Sequence, residues 1–100
     1  MKKEKIRGAL GLCRRAGKVK AGIVPVKEAL HRGEAALVLL ASDAAKNTQD
    51  RILPLSEHKG VPVHRVLLDK KEMAQAIGKN GEAVCVSVPR EFVNLVLASL

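Results

Sequence analysis

The sequence predicts an α/β domain in which helices cover both faces of a largely parallel or mixed sheet. Two kinds of segment alternate along it: stretches with apolar residues at helical spacing, and short apolar runs of strand length. Glycine or proline stands at nearly every boundary between them. The chain has 100 residues, 47% of them hydrophobic. That is enough for one core, too little for two, and too apolar for wholesale disorder.

Each element has a local cause. Ile6, Leu10 and Cys13 recur at helical spacing and predict a helix over Lys3 to Ala16. Arg14 and Arg15 suit its C-terminal dipole, and Gly17 supplies a stop. Val19 and its neighbours read as a short strand. Pro25 is a good first-turn residue and predicts a helix carrying Val26, Ala29 and Leu30 that stops at Gly33. Ala36 to Ala41 is continuously apolar and reads as a strand buried on both faces. Asn47 or Thr48 is the expected cap of a helix to about Lys59, kinked or restarted at Pro54 and stopped by Gly60. A strand follows over Val63 to Leu67. Asp69, with Glu72 three positions later, has the form of a capping box and opens a helix that ends at Gly78. Ala83 to Val88 alternates, with Val84, Val86 and Val88 on one side. Pro89 opens a last helix through Leu100, whose apolar positions are Phe92, Val93, Val96, Leu97 and Leu100.

Charge is unevenly placed. The 18 Lys and Arg outnumber the 10 Asp and Glu, for a net charge of +8. Residues 1 to 20 hold eight basic side chains (Lys2, Lys3, Lys5, Arg7, Arg14, Arg15, Lys18 and Lys20) against Glu4 alone, whereas the other eighty residues are nearly neutral. A polyanion is the first partner such a distribution suggests. Phe92 is the only aromatic residue, with no Tyr or Trp. Modules that stack splayed bases on aromatic platforms are thereby excluded, and any nucleic acid would be read through shape, backbone and base edges.

Other classes are disfavoured too. The longest uncharged apolar run, Ala35 to Ala41, is far short of the roughly 20 residues of a membrane span, and no secretory stretch follows Met1. Cys13 and Cys85 read as buried thiols of a cytoplasmic protein. His31, His58 and His64 lack metal-ligand spacing, and no nucleophile elbow or paired carboxylates occur in an apolar setting. Gly17-Lys18 lacks the glycine and hydroxyl of a phosphate loop. A non-enzymatic protein without cofactor or metal, a monomer in the cytoplasm, is the expectation.

Two constellations could carry binding. The segment GLCRRAGKVKAG (11–22) sets Arg14, Arg15, Lys18 and Lys20 around a helix end and a turn, just ahead of the next helix N-terminus. That is an arrangement for phosphate, although a one-sign cluster can equally serve as a solubilising face. The second is Gly78-Lys79-Asn80-Gly81, which taken alone matches the G-x-x-G loop of KH domains. A KH loop must lead into a helix, whereas Val84, Val86 and Val88 describe a strand. A polar helix-to-strand turn able to touch RNA is the better reading.

Taken together these segments resemble a known family. GLCRRAGKVKAG, a helix ending at Arg32-Gly33, ALVLLASDAAKNT, KGVPVHRV and DKKEMAQAIGK, in that order and spacing, look like the kink-turn RNA-binding ribosomal-protein family, over residues 5 to 98. The resemblance implies a three-layer α/β/α sandwich around a mixed four-stranded sheet, and recognition of a sharply bent RNA helix. It matches Gly22 to the glycine before the recognition helix, Arg32 to the basic residue before the glycine that ends it, and Gly17, Lys18 and Lys20 to the basic approach. Gly78 to Ala83, with Lys79, Asn80 and Gly81, falls at the loop that covers an extruded nucleotide. Where the best-characterised members carry Asn, Glu and Lys, this chain has Val24, Pro25 and Glu28. Lys27 sits one position early, a rotation of about 100° on a helix. The implied partner is structured RNA, either ribosomal or kink-turn-containing, with the ribosome as its setting. The alternative is a protein-interaction module of the same fold without kink-turn specificity.

Overall fold

The structure, a computed structural model, describes residues 2–100; Met1 and the side chain of Lys2, one of the eight basic residues above, lie outside the described residues. The elements run α1 (Lys2–Arg15), β1 (Lys20–Ala21), α2 (Ile23–His31), β2 (Leu37–Leu40), α3 (Lys46–His58), β3 (Val63–Arg65), α4 (Lys70–Ala76), β4 (Cys85–Val88) and, after a 3-10 turn over Arg90–Phe92, α5 (Val93–Ala98). The strands form one mixed sheet in the order β1-β4-β2-β3. β2 and β3 are parallel, while β4 runs antiparallel to both of its neighbours. α2 packs with α3, and α1 packs with α4 and α5. The result is the α/β/α sandwich and mixed four-stranded sheet that the sequence implies.

The core follows from β2 and β4. All four residues of each are buried, because both strands are central and covered on both faces. Leu37 to Leu40 therefore behaves as its continuous apolar run predicts. β4 does not keep one polar face. Cys85 and Ser87 are as enclosed as Val86 and Val88, so the expected one-sided alternation gives way to burial on both sides. Leu10, Leu30, Leu39, Ile52, Met73 and Val96 complete a single core.

Several boundaries depart from expectation: β3 ends at Arg65 rather than Leu67, and the last helix runs only from Val93 to Ala98, with Pro89 capping the 3-10 turn before it. α2 begins at Ile23, with Gly22 as its N-cap, so Pro25 occupies the third helical position rather than the first. A missing amide is tolerated there as well, since none of the first amides has an intrahelical acceptor. α3 starts at Lys46, capped by neither Asn47 nor Thr48; its N-cap is Ala45, without a side-chain bond. Arg65 supplies the restraint from β3, its guanidinium donating to the carbonyls of Ala41, Ser42 and Ala44 at 3.0–3.1 Å and to Gln49 Oε1 at 2.9 Å. α3 also passes through Pro54 without a restart. Pro54 and Asp50 are both exposed, so the carbonyl that loses its partner faces solvent.

α4 is capped as its sequence predicts. Glu72 N–H donates to Asp69 Oδ1 at 2.8 Å, and Asp69 N–H donates to Glu72 Oε1 at 3.0 Å. The same Glu72 accepts from Arg7 at 2.7 Å and Lys3 at 3.2 Å on α1. One carboxylate thus closes a helix start and ties two helices of the same layer together.

Candidate functional site

α1 ends at Arg15, and the chain turns at Gly17, whose φ of 72° is in the left-handed region. The turn delivers Lys20 to β1, where it pairs with Ser87 of β4. Gly22 then bends the chain into α2. Its φ of 95° and ψ of 161° define a conformation essentially reserved for glycine. The bend is pinned on both sides, by Gly22 N–H donating to the Cys85 carbonyl and by Val26 N–H donating to the Gly22 carbonyl, each at 3.0 Å.

This topology brings the two sequence-distant constellations into one cleft of about 350 Å³. Arg14, Gly17 and Lys20 line it from the first, Gly78 and Lys79 from the second, and Pro25 from the start of α2. Arg14 reaches across it to lie against Gly78. The loop after α4 then passes through Asn80 and Gly81, both exposed, into β4. The G-x-x-G segment is therefore followed by a strand and no helix, as the valine alternation requires.

The remaining candidate residues are spread around this centre. Arg15 is exposed at the end of α1, and Lys27 is half-buried on α2. Arg32 is the C-cap residue of α2, about 15 Å from Gly22 along the helix axis. Lys18 turns to the other side of β1. There it lines a second cleft of about 420 Å³ with Lys20, Ser87, Arg90 and Glu91, and it donates to Glu91 Oε2 at 2.6 Å. This hydrogen bond is the main reason that the Glu91 carboxyl titrates below its usual range. Among the described residues, Arg14, Arg15, Lys20, Lys27, Arg32 and Lys79 form no ion pair.

The exposed side of α2 carries Val24, 61% exposed, then Pro25 and Glu28. It presents apolar surface and one negative charge beside the cleft. The cleft therefore offers cations and backbone, with no amide or carboxamide side chain from the helix start to read a base edge. Sequence reasoning missed Arg90 and Glu91 altogether. No local pattern links them to Lys18, and only the β1–β4 pairing brings them near.

The sandwich, its mixed strand order and the basic turn ahead of α2 belong to a known class of domain. The chain is a member of the ribosomal protein L7Ae/L30e/S12e/Gadd45 family, whose model matches residues 4–95. Among its relatives, the RNA-binding protein YlxQ of Bacillus subtilis (strain 168) is 31% identical over 91 residues, covering 91% of this chain and 90% of that protein. A solved structure of a protein of unknown function from Bacillus halodurans superposes with a TM-score of 0.86 at 31% identity, covering 95% of each chain. The Giardia lamblia 15.5kD RNA binding protein shares the fold, with a TM-score of 0.78 at 20% identity, covering 96% of this chain and 82% of that one.

Proposed function

We propose that this chain is a non-enzymatic, ribosome-associated protein of the cytoplasm that binds structured RNA of kink-turn type as a monomer. The observation that carries the reading is the convergence of Arg14, Lys20 and Lys79 in one cleft with Gly17, Gly78 and the start of α2. Three cations from two distant segments, none ion-paired among the described residues, suit successive phosphates of a folded backbone. Gly17, with open space where a side chain would stand, lets that backbone approach closely. The kinship with YlxQ, an RNA-binding protein, supports the same partner.

Recognition then rests on backbone geometry. The side chains of Val24 and Pro25 offer no hydrogen-bond donor or acceptor to a base edge, and Glu28 repels phosphate. The ligand is chosen by its bend and the spacing of its phosphates, with Arg15, Lys27 and Arg32 adding charge around the cleft. The same exposed Val24 and Pro25 favour the second reading, a protein-interaction module in which the basic surface docks an acidic partner.

Affinity for a kink-turn RNA and for a straight duplex of the same length, measured across a salt series, tests the proposal. The kink-turn should bind more tightly, with log affinity falling by roughly 0.7–0.9 per phosphate neutralised for each unit of log salt. No binding to either RNA at low salt, together with a protein partner retained after nuclease treatment, would favour the interaction module.

A further inference from the structure

The second cleft, beyond β1, is absorbed by nothing above. Gly17 and Lys20 line both clefts, so the two adjoin across β1. The strand between them is two residues long and stands at the sheet edge. The floor is made by small side chains, among them Ala29 and Ser87, and the rim carries Lys18, Lys20 and Arg90. A basic surface thus passes over the edge strand from one side of the molecule to the other.

One anion already occupies part of it. Glu91 sits 2.6 Å from Lys18 Nζ, with the two side chains 52% and 54% exposed. A carboxylate at that distance offers an ammonium the charge and acceptor that a phosphate oxygen would offer. An exposed pair of this kind adds little to folding and is readily exchanged. Three cations and two anions, Glu34 and Glu91, line the cleft. Loss of a single anion would therefore double its excess positive charge.

We propose that the RNA path continues from the Arg14–Gly78 cleft over β1 into this second cleft, where Lys18 and Arg90 take backbone phosphates and Glu91 competes internally for Lys18. The inference rests on the RNA reading above. Exchange moves the ammonium hydrogen bond from carboxylate to phosphate and returns the Glu91 carboxylate to water. An RNA anchored in the first cleft presents its next phosphate at high local concentration and displaces Glu91, whereas a weakly held polyanion does not. Glu91 is then a specificity determinant, raising the threshold for casual binding.

The test measures kink-turn RNA binding by fluorescence anisotropy across a salt series, for wild type, Glu91→Gln, Arg90→Glu and Lys79→Glu. Both new positions are exposed, and a thermal melt of each variant verifies the fold. Glu91→Gln should tighten binding roughly three- to ten-fold at low salt while leaving the log–log salt slope, about 0.7–0.9 per phosphate, nearly unchanged, because Lys18 already takes its phosphate in the wild-type complex. Arg90→Glu should weaken binding by roughly ten-fold and flatten the slope by a similar step. Wild-type affinity and slope in both variants, with Lys79→Glu still impaired, would confine RNA to the first cleft and overturn the inference while the proposed function stood. Wild-type protein that bound no RNA at low salt would remove both.

Discussion

The guanidinium of Arg14 lies against the Cα of Gly78, so close that a Cβ at Gly78 would stand 2.7 Å from Nη2 and nearer still to Cζ and Nε. Arg14 belongs to the last turn of α1, and Gly78 follows Ile77, the C-cap residue of α4. The contact therefore joins the basic turn to the loop that faces it across the cleft. Only glycine permits it. A side chain would displace the guanidinium, and the backbone φ of 67° independently favours glycine.

Gly78→Ala and Gly81→Ala separate these two effects. Gly81 has φ of 83° and open space where a Cβ would stand, so alanine there costs backbone strain alone, about 1 kcal/mol in urea unfolding. Gly78→Ala should cost about the same, because the guanidinium can swing aside. Its RNA affinity should fall further than that of Gly81→Ala, because Arg14 no longer crosses the cleft. Equal affinities in the two variants would remove Arg14 from the binding surface.

Lys20→Glu and Lys79→Glu reverse charge on opposite walls of the same cleft. Each should weaken binding to structured RNA by roughly ten-fold at moderate salt and lower the salt slope by about one phosphate equivalent. Lys46→Glu, at the exposed start of α3 and lining neither cleft, is the control and should leave affinity nearly unchanged. A loss as large in the control would mean that net charge, rather than the cleft, holds the RNA.

The capping box predicts both a stability loss and an acid dependence. Asp69→Ala removes the acceptor of the Glu72 amide and should cost about 1 kcal/mol in chemical denaturation. The Asp69 amide, then the Lys3 ammonium, hold the Glu72 carboxyl below its ordinary value of 4.5. A carboxyl lowered on folding contributes stability that is present above its ordinary value and lost as pH falls through the lowered one. Urea midpoints should therefore drop below about pH 4.5, and Glu72→Gln should flatten that acid limb. An unchanged limb would show that other carboxylates govern it.

Burial raises both thiols, Cys85 to about 11 and Cys13 above its ordinary value of 9.0. At neutral pH a thiol reagent should react slowly with native protein and rapidly in urea, as follows when the thiolate is the nucleophile. A thiol raised on folding contributes stability below its ordinary value and loses it as pH rises. Stability should therefore decline from about pH 9 towards 11, and Cys85→Ala should reduce that decline. Rapid modification of native protein at neutral pH would contradict the burial of both cysteines.

The sequence was legible wherever the determinant was local. β2 could be read because four consecutive apolar residues suit a strand covered twice, and the cap of α4 because Asp69 and Glu72 stand three positions apart. The cap of α3 was not, because its restraint comes from Arg65 on another strand and leaves no trace near Ala45. The one-sided pattern of β4 does not hold because Ser87 passes for a solvent-facing residue, and only the strand's central place in the sheet buries it. Both basic constellations were visible as charge and glycine patterns. Their meeting in one cleft, and the seating of Lys18 on Glu91, depend on strand order, which periodicity does not encode.

The pairing of β1 with β4 alone also orders events in time. β4 lies far along the chain from β1, and Lys20 has no strand partner until Ser87 is in place. Contacts so distant in sequence are the slowest to form. Until then Lys20, at the far end of the basic turn, has no strand to hold it. In that interval the turn is a cluster of cations whose pull on nucleic acid is purely electrostatic. The seating of Lys18 on Glu91 waits on the same pairing, since Glu91 follows β4 in the chain.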